Sequence, residues 1–487
     1  MIRCQLFLLK IVCAFLVSVI PCGANCPYKV CDCYGSTISC EWRGLTEVPP
    51  LISTNYIGLT ELIFDGNNIT RIPSSSLPSG LVSISLINNP TTTIEDTAFK
   101  GSANSLEALL FSDFRFTRIP DALLSLNKLQ SLTIYEGTVL DWNVKVMTKL
   151  GQTVEILDLY ALGLNTWPDW IQDFVILKSL TVASGSISFV PPGALAHLSE
   201  SLASLFLDSN KLLEVPEAIF NITSLENLNL SNNSISNATW LPRRSNLTSL
   251  GLQTNRISNA EQLSNALLPF KDTLNYLYIQ ENLLTSVPNL TFLTQVGSLD
   301  LSSNRINNTY SGAVQPNLFS LDLGYNYLSA VPRFMSHLTS ITDVRLSSNI
   351  VKSIQAEEFP PNTVTIDLDF NYITELTDTS FPESPKIKYL NLNNNPLARI
   401  SPLAFKNIPL LLGLNLQSTK LTRLPQTLSF LTSLNRLDLS NCNKLVCTCL
   451  EKGLKPWVTS LFHSNVIGMC GATSVYDFFT QLSSACP

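Results

Sequence analysis

Residues 225–235 read LENLNLSNNSI, and the spacing of their apolar residues decides the fold. The same pattern, L-x-x-L-x-L-x-x-N-x-L, returns at residues 247–257 (LTSLGLQTNRI) and 274–284 (LNYLYIQENLL). About seventeen copies occur at intervals of roughly 22 to 27 residues, the first at Leu59–Ile69 and the last at Leu434–Cys442. A chain of 487 residues would ordinarily form several globular domains. A fixed period of this kind instead predicts a solenoid in which each copy packs on its neighbours.

The chemistry of the pattern assigns a role to each position. Alternation at the L-x-L step is typical of a strand, so its leucines should point inward and their neighbours outward. The Asn marks the turn out of the strand, and we expect its amide to bond the backbone of its own and the next coil. One repeat cannot bury enough apolar surface to offset the entropy of ordering about 23 residues. Stacking is therefore obligatory, and both open ends must be covered.

The cysteines supply those covers. Cys4, Cys13 and Cys22 lie in the first 24 residues, and no cysteine lies between Cys40 and Cys442. Four form a cluster at each end of the repeats: Cys26, Cys31, Cys33 and Cys40, then Cys447, Cys449, Cys470 and Cys486. This distribution predicts two disulfides in each cap and an oxidising compartment. A zinc site is the alternative, but the one-residue spacings and the lack of a nearby His do not suit it.

Cys442 is left over and occupies the Asn position of the last repeat. A buried free thiol is the favoured interpretation, and a reactive thiol is the alternative.

The first 24 residues read as a secretory signal peptide. Arg3 and Lys10 supply positive charge, Ile11–Ile20 is apolar, and Ala24 is a plausible cleavage site. The alternative, a membrane anchor, needs about 20 apolar residues, and neither this segment nor a later one supplies them. We therefore expect a secreted protein without a membrane span.

With these features together, the chain resembles the extracellular leucine-rich-repeat family. The spacing Cys26-x4-Cys31-x-Cys33-x6-Cys40 is similar to that family's N-terminal cap, and the later cysteines with Trp457 are similar to its C-terminal cap. The resemblance implies an α/β-type solenoid: a horseshoe of about seventeen repeats, disulfide-capped at both ends, with a parallel β-sheet on its concave face. It also implies the bridges Cys447–Cys470 and Cys449–Cys486. Thr448 and Lys444-Leu445 depart from the family, which often has Asp and Pro-Trp there.

The predicted organisation has four parts. They are a signal peptide (1–24), an N-terminal cysteine cap (25–50), the leucine-rich repeats (51–442) and a C-terminal cysteine cap (443–487).

Composition and motifs argue against catalysis and against nucleic acid. Charged residues make up 14% of the chain, the net charge is −6, and no basic run exists to bind phosphate. The three histidines, His197, His337 and His463, are far apart in the sequence, and no motif for a nucleophile, a metal or a phosphate occurs. Asp367 and Asp369 could act as an acid–base pair, although acids between these leucines commonly serve solubility. We predict no enzyme activity, no cofactor and no metal.

Aromatic and acidic residues mark a candidate binding surface on the exposed strand positions of the later repeats. Aromatic side chains on such a face are typical interface anchors. The candidates are Tyr276, Tyr278, Asp300, Phe319, Asp322, Tyr325, Arg345, Asp367, Phe370 and Tyr389. Two interpretations of the column Asp300, Asp322, Arg345 and Asp367 stay open. Arg345 either bridges its acidic neighbours as a surface ladder, or the column is an acidic strip for a basic peptide or protein.

Eight N-x-S/T sequons are candidate glycosylation sites: Asn68, Asn221, Asn229, Asn232, Asn237, Asn246, Asn289 and Asn307. Five of them fall between Asn221 and Asn246, and we expect Asn229 and Asn232 to face the concave side. Glycans there would cover the middle repeats and leave those from about Asn275 to Tyr389 open.

The functional prediction is an extracellular recognition protein that binds a protein, peptide or glycan on the concave face. The alternatives are a secreted inhibitor of an extracellular hydrolase, an ectodomain-like co-receptor and a structural matrix protein. The sequence leaves the oligomeric state open.

Overall fold

The computed structural model describes residues 26–52, 56, 58–383 and 386–482. These residues form two compact units. Unit 1 holds the described residues up to Gly163 together with Trp170–Leu177, and unit 2 holds Leu164–Asp169 and the described residues from Lys178 onward. The predicted signal peptide and Cys486 lie outside the described residues.

Strands β1 to β9 belong to unit 1. They are β1 (Asp32–Tyr34), β2 (Thr37–Ser39), β3 (Glu61–Ile63), β4 (Arg71–Ile72), β5 (Ser83–Leu86), β6 (Thr93–Ile94), β7 (Ala108–Ser112), β8 (Ser131–Tyr135) and β9 (Ile156–Tyr160). Strands β2, β3, β5, β7, β8 and β9 form a parallel series, β1 pairs antiparallel with β2, and β4 pairs with β6 on a separate sheet.

Strands β10 to β27 belong to unit 2. They are β10 (Ser179–Ala183), β11 (Ser204–Phe206), β12 (Asn227–Asn229), β13 (Ser249–Gly251), β14 (Tyr276–Tyr278), β15 (Asn289–Leu290), β16 (Ser298–Asp300), β17 (Ala313–Val314), β18 (Ser320–Asp322), β19 (Asp343–Arg345), β20 (Thr365–Asp367), β21 (Glu375–Leu376), β22 (Tyr389–Asn391), β23 (Arg399–Ile400), β24 (Gly413–Asn415), β25 (Arg436–Leu439), β26 (Val466–Cys470) and β27 (Thr473–Ser474). One strand per repeat forms a parallel series that ends at β26, while β15–β17 and β21–β23 form separate two-stranded sheets.

Helices are few and short in the described part of the chain: α1 (Val144–Leu150), α2 (Ala260–Leu267), α3 (Lys455–Ser460) and α4 (Val475–Asp477). Helix α2 lengthens one repeat and begins at Asn259, whose Oδ1 accepts a bond from the Gln262 N–H at 3.0 Å. It packs Leu263 and Leu267 into the core. Other return segments contain 3-10 turns, such as Glu217–Ile219 and Gln426–Phe430.

The repeat strands confirm the predicted alternation. Seventeen of them, five in unit 1 (from β3) and twelve in unit 2 (to β25), match the predicted repeats. In β18, for example, Leu321 is fully buried between the partly exposed Ser320 and Asp322. Parallel register aligns the inward leucines, as in the row Leu299, Leu321 and Val344. The core is this stack of aligned apolar side chains.

A ladder of buried amides binds successive coils together. The Nδ2 group of Asn326 donates to the carbonyls of Leu323 (3.1 Å) and Gly324 (3.1 Å) in its own turn, and to that of Leu301 (3.0 Å) in the preceding coil. Its Oδ1 accepts from the N–H of Ile306 at 2.9 Å, also in the preceding coil. The expectation that the amide bonds its own coil is confirmed, whereas the neighbour that it bonds is the preceding coil and not the next.

The ladder is interrupted in four consecutive repeats, where Phe114, Gly137, Leu162 and Gly185 take the Asn position. In unit 1 the ring of Phe114 stacks on that of Phe116 with centroids 4.2 Å apart. A Cβ on Gly137 would lie 2.4 Å from the Phe114 ring, so this glycine leaves the space that the ring occupies. Aromatic packing replaces the amide bonds there.

The residue before the ladder position has a left-handed backbone in all seventeen repeats. Examples run from Gly66 (φ +70°) in unit 1 to Asn441 (φ +57°) in unit 2. This conformation turns the chain out of the strand and directs the next side chain inward. It disfavours residues with a large side chain.

Disulfides secure both caps. The N-terminal cap contains Cys26–Cys33 and Cys31–Cys40, and the C-terminal cap contains Cys447–Cys470. The last bridge is the one that the family resemblance implied. Cys449 is also disulfide-bonded, and its expected partner, Cys486, lies outside the described residues.

Two polar contacts attach the C-terminal cap to the repeats. The buried carboxylate of Glu451 pairs with Arg423, and Trp457 Nε1 donates to the Leu431 carbonyl at 3.0 Å. Thr448, which departs from the family's Asp, still caps a 3-10 helix, since its Oγ1 accepts from the Leu450 N–H at 3.2 Å. The chain thus keeps the capping function with a different residue.

Cys442 is a buried free thiol, as the favoured interpretation predicted. Its Sγ lies 3.2 Å from both the Leu416 carbonyl and the Thr419 hydroxyl. Thr419, which occupies the preceding ladder position, donates to the same carbonyl at 2.9 Å. Smaller polar groups therefore complete the ladder where the repeats end.

We expect Asn326→Ala to lower the free energy of unfolding by about 2–4 kcal/mol, because it leaves buried carbonyls and an N–H without partners. Asn326→Asp should be equally damaging, since it keeps the volume but loses the donors. Urea unfolding followed by far-UV circular dichroism measures both.

The control is Asn265→Ala, an exposed residue on α2, which should change the unfolding free energy by less than about 0.5 kcal/mol. A wild-type midpoint for Asn326→Asp would show that the amide donors do not stabilise the stack.

Candidate binding surface

The predicted acidic column exists on the exposed strand face of unit 2. Parallel register aligns Tyr278, Asp300, Asp322, Arg345 and Asp367 across β14, β16, β18, β19 and β20. The column continues through Asn391 to Asp438. Because neighbouring strands are about 4.8 Å apart, the five steps from β14 to β22 span roughly 24 Å. We define the acidic-aromatic strip as the outward residues of β14, β16, β18, β19, β20 and β22 together with the turn residues Tyr325 and Phe370.

Arg345 forms one of the two column contacts that the ladder interpretation predicted. Its Nη1 lies 3.7 Å from Asp322 Oδ2, and its Nε lies 3.0 Å from Oδ1 of Asp343, an acid on the same strand that the sequence analysis did not include. Asp367 instead accepts a bond from Asn391 Nδ2 at 2.8 Å. One arginine thus faces several acids, and the strip is net acidic.

Partial burial perturbs two of these acids. Desolvation raises the pKa of Asp322, and the charges of Asp300 and Asp343 add to the shift, while the Gly324 N–H and Arg345 oppose it. Desolvation also raises the pKa of Asp367, with a further contribution from Asp369. Asp367 and Asp369 lie together after all, since the Asp369 N–H is 3.3 Å from Asp367 Oδ1. Partial burial thus disfavours the charged form of both carboxylates.

Each aromatic candidate of the strip is exposed. The exposed fraction is lowest for Tyr278 on β14, at 42%, and highest for Tyr325, at 65%. The other four have intermediate values: Tyr276, Phe319, Phe370 and Tyr389. Two rings lie over glycines of neighbouring repeats. A Cβ on Gly297 would be 2.6 Å from the Phe319 ring, and one on Gly413 would be 3.1 Å from the Tyr389 ring. These glycines let the rings lie close to the sheet, with one face toward solvent.

Tyr325 and Phe370 occupy the left-handed position before the ladder Asn, with φ of +54° and +49°. Other repeats of unit 2 carry small or polar residues there, such as Ser303, Ser348 and Asn394. A large side chain in this conformation costs backbone strain. Tyr325 and Phe370 are both exposed, and their positions are about 10 Å apart.

The sequence analysis missed two exposed tyrosines next to them. Tyr327 and Tyr372 follow the ladder Asn in the same two repeats and are 55% and 57% exposed. The prediction covered outward strand positions and the turn position before the Asn, whereas the position after the Asn also reaches solvent. With Tyr325 and Phe370 they make an aromatic rim along the end of the strip.

Tyr135 and Tyr160 are two further tyrosines that are paired directly across β8 and β9, in unit 1. The structure does not bring them together with the strip in one unit.

The sequons sort into exposed and half-buried asparagines. Asn229 and Asn237 are half-buried, and the other six are exposed. Asn229 lies in the outward column of β12, where its Nδ2 is 3.2 Å from Asp208 Oδ1, and Asn232 lies in the turn that follows. Both therefore sit on the strand face, beside the strip.

Groups for metal binding do not assemble among the described residues, and the three histidines lie apart in the sequence. No cluster of three or more His, Cys, Asp or Glu side chains could hold a metal ion in this part of the chain. His197 and His337 lie in separate 3-10 turns, and His463 lies in the C-terminal cap. Within the same residues, no helix has the length and apolar character needed to cross a bilayer.

Parallel repeat strands, the buried amide ladder and the disulfide-bonded caps define the chain as a leucine-rich-repeat protein. The leucine-rich-repeat family model matches residues 176–235, 361–421 and 385–445. Osteomodulin of Bos taurus is 28% identical over 221 residues, which is 45% of each chain. Keratocan of Mus musculus is 29% identical over 285 residues, or 54% of this chain and 73% of keratocan. The chain thus spans about half the length of osteomodulin.

A solved leucine-rich-repeat protein of Leptospira interrogans has the same fold, with a TM-score of 0.55 and 22% identity over 82% of this chain and 88% of that one. The curated relatives and the disulfides indicate an extracellular protein.

We expect Tyr325→Asn to leave the free energy of unfolding unchanged or to raise it by up to about 1 kcal/mol, because Asn tolerates the left-handed backbone. Tyr327→Asn is the matched control. The φ of Tyr327 is not positive, so this substitution should not raise the free energy of unfolding. Urea unfolding compares the two. A larger loss for Tyr325→Asn than for Tyr327→Asn would show that the Tyr325 ring stabilises the fold.

The pKa shifts predict a pH-dependent stability difference between the wild type and Asp322→Asn/Asp367→Asn. A raised pKa means that the folded state binds more protons, so the contribution of these groups to stability falls as pH rises from the usual aspartate range through the raised pKa. The wild type should therefore gain stability relative to the variant on going from pH 7 to pH 4.

Denaturant unfolding across that range measures the difference, with the exposed pair Glu217→Gln/Asp272→Asn as background control. A difference that stays constant or reverses with acid would contradict the shifts.

Proposed function

We propose that this chain is a secreted recognition protein whose acidic-aromatic strip binds a basic extracellular protein or peptide. Residues 1–24 would direct secretion, and the sequence-derived boundaries of the caps and repeats would apply to the mature chain. The observation that carries the proposal is the alignment of Asp300, Asp322 and Asp367 in one outward column with exposed aromatic residues beside it.

The chemistry of the strip favours a cationic partner. Arg345 is paired with Asp322 and Asp343, which leaves a surplus of carboxylates among the aligned residues. Lys and Arg side chains form charge-assisted hydrogen bonds with such carboxylates, and they are attracted to the faces of Tyr and Phe rings. The tyrosines offer large contact areas with few rotatable bonds, as interface anchors do.

The energetic cost of the strip supports binding over a purely structural role. Asp322 and Asp367 are desolvated, and Tyr325 and Phe370 adopt a strained backbone. If stability alone were selected, the two aspartate positions would carry neutral residues and the two left-handed positions would carry small ones. Binding of a basic partner would offset both costs.

Glycans at Asn229 and Asn232 would limit the strip on one side, because both asparagines belong to the β12 repeat, two strands before β14. The open region would then begin near β14, where the exposed tyrosines begin. Glycopeptide mass spectrometry of the secreted chain tests whether these two sequons carry glycans.

Selection of random 12-residue peptides displayed on phage tests the proposal. The mature wild-type chain should enrich Lys- and Arg-containing peptides with apolar or aromatic neighbours. Asp300→Asn/Asp322→Asn/Asp367→Asn should bind the selected peptides at least about tenfold more weakly, because the opposing charges are lost.

The matched control is Glu217→Gln/Asp272→Asn/Glu357→Gln, which removes the same charge from exposed positions outside the strand face. It should retain wild-type affinity. Selected peptides without basic enrichment, or with equal affinity for the strip variant, would rule out the proposed partner class and favour a glycan or a matrix polymer.

A further inference from the structure

The exposed strand face of unit 1 carries apolar side chains at outward positions. Ile63 on β3 and Leu110 on β7 lie in one column, with Ser85 of β5 between them. Ile87, the residue after β5, lies in the adjacent outward column. All three are half-buried by their neighbours and still reach solvent. Because β3 and β7 are two strands apart, Ile63 and Leu110 are about 10 Å from each other.

Aromatic and further aliphatic residues extend this patch along β8 and β9. Tyr135 and Tyr160 are direct partners in the register, and Ser112 precedes them in the same column. Ile156, at the other end of β9, is 40% exposed. Single exposed apolar residues are ordinary, whereas a contiguous apolar patch on a strand face usually marks an interaction site.

Acidic residues flank the patch, and basic residues are absent from it. The face consists of the outward residues of β2, β3, β5, β7, β8 and β9 and the two residues before each ladder position; none of these is Lys or Arg. Six of them are acidic: Glu41, Glu61, Asp65, Asp113, Glu136 and Asp158. Arg43 lies at the ladder position of the cap and pairs with Asp32.

Asp65 contacts the patch directly. Asp65 Oδ1 accepts bonds from the Ser85 hydroxyl at 2.6 Å and from the Ile87 N–H at 3.0 Å. Burial raises the pKa of the Tyr135 hydroxyl, a hydrogen bond with Ser112 opposes the shift, and the negative charges of Asp65, Glu136 and Asp113 add to it. Three carboxylates from three repeats therefore act on the same ring.

The geometry points to a second binding surface on the strand face of unit 1, which takes a basic amphipathic segment of an extracellular partner. The apolar side chains of the bound segment pack on Ile63, Ile87 and Leu110, and the Lys or Arg side chains of the segment pair with the flanking carboxylates. This surface is separate from the acidic-aromatic strip, and the inference does not rest on the function proposed for that strip.

Charge and polarity together select this occupant. An anionic polymer or an anionic lipid surface would be repelled by six acids without a basic residue. A purely hydrophilic basic chain would leave the isoleucines and the leucine exposed. Only a segment that combines apolar and cationic side chains satisfies both parts of the face.

Three synthetic 14-residue peptides serve as probes for fluorescence anisotropy titrations with the intact mature chain. The first contains Lys and Leu with the leucines on one helical face, the second has the same composition in a permuted order, and the third replaces Lys by Glu. The first should bind at least about tenfold more tightly than the other two.

Variants then locate the contact. Ile63→Thr/Leu110→Thr keeps strand-compatible side chains and should weaken binding of the first peptide at least tenfold, as should Glu61→Gln/Asp113→Asn/Glu136→Gln. Leu140→Thr/Val144→Thr and Glu47→Gln/Asp96→Asn/Asp121→Asn change exposed residues of unit 1 outside this face and should have no effect. Thermal unfolding by circular dichroism verifies that each variant is folded.

The outcomes separate the two surfaces. The inference is supported if Asp300→Asn/Asp322→Asn/Asp367→Asn still binds the first peptide and the unit 1 variants do not. This result is independent of whether the strip binds a partner. Equal binding of the permuted peptide, or unchanged binding by folded Ile63→Thr/Leu110→Thr, would overturn it.

Discussion

The buried amide ladder is the constraint on which the rest of this molecule depends. At the end of each strand the backbone turns away from the sheet, and its carbonyls would be buried without partners. In eleven of the seventeen repeats an Asn side chain satisfies them and simultaneously ties its coil to the preceding one, as the four bonds of Asn326 show. A ladder of this kind fixes the register of the strands, and register decides which side chains meet on the exposed face.

Every repeat has a left-handed residue before its ladder position, whether or not an Asn occupies that position. Ser, Asn or Gly fulfils the backbone requirement at little cost, and most repeats use such residues. Tyr325 and Phe370 in unit 2 and Trp42 in the N-terminal cap do not. The Trp42 ring even requires the absence of a side chain at Gly66, where a Cβ would lie 2.4 Å away. Large aromatic residues at a position that favours small ones point to selection for surface chemistry.

The two units present related but different surfaces. The strand face of unit 2 combines partly desolvated aspartates with rings that lie over glycines, and that of unit 1 surrounds isoleucines and a leucine with acids. Both faces are short of basic residues, so both suit cationic partners. They differ in their apolar side chains: the face of unit 2 exposes aromatic rings, and the face of unit 1 carries an aliphatic patch.

The sequence alone determined the fold, the repeat count, the inward leucines and the two cysteine caps, because these follow from local spacing that recurs in every repeat. It also identified the column Asp300, Asp322, Arg345 and Asp367, since period and alternation predict columns. Only the tertiary structure decided that Arg345 pairs with Asp343 on its own strand, that the amides bond the preceding coil and that the Phe114 ring stacks on Phe116 where an amide is missing. The patch around Leu110 and the tyrosines Tyr327 and Tyr372 also emerged only there. These features depend on side-chain directions and distances between repeats, which residue spacing along the chain does not contain.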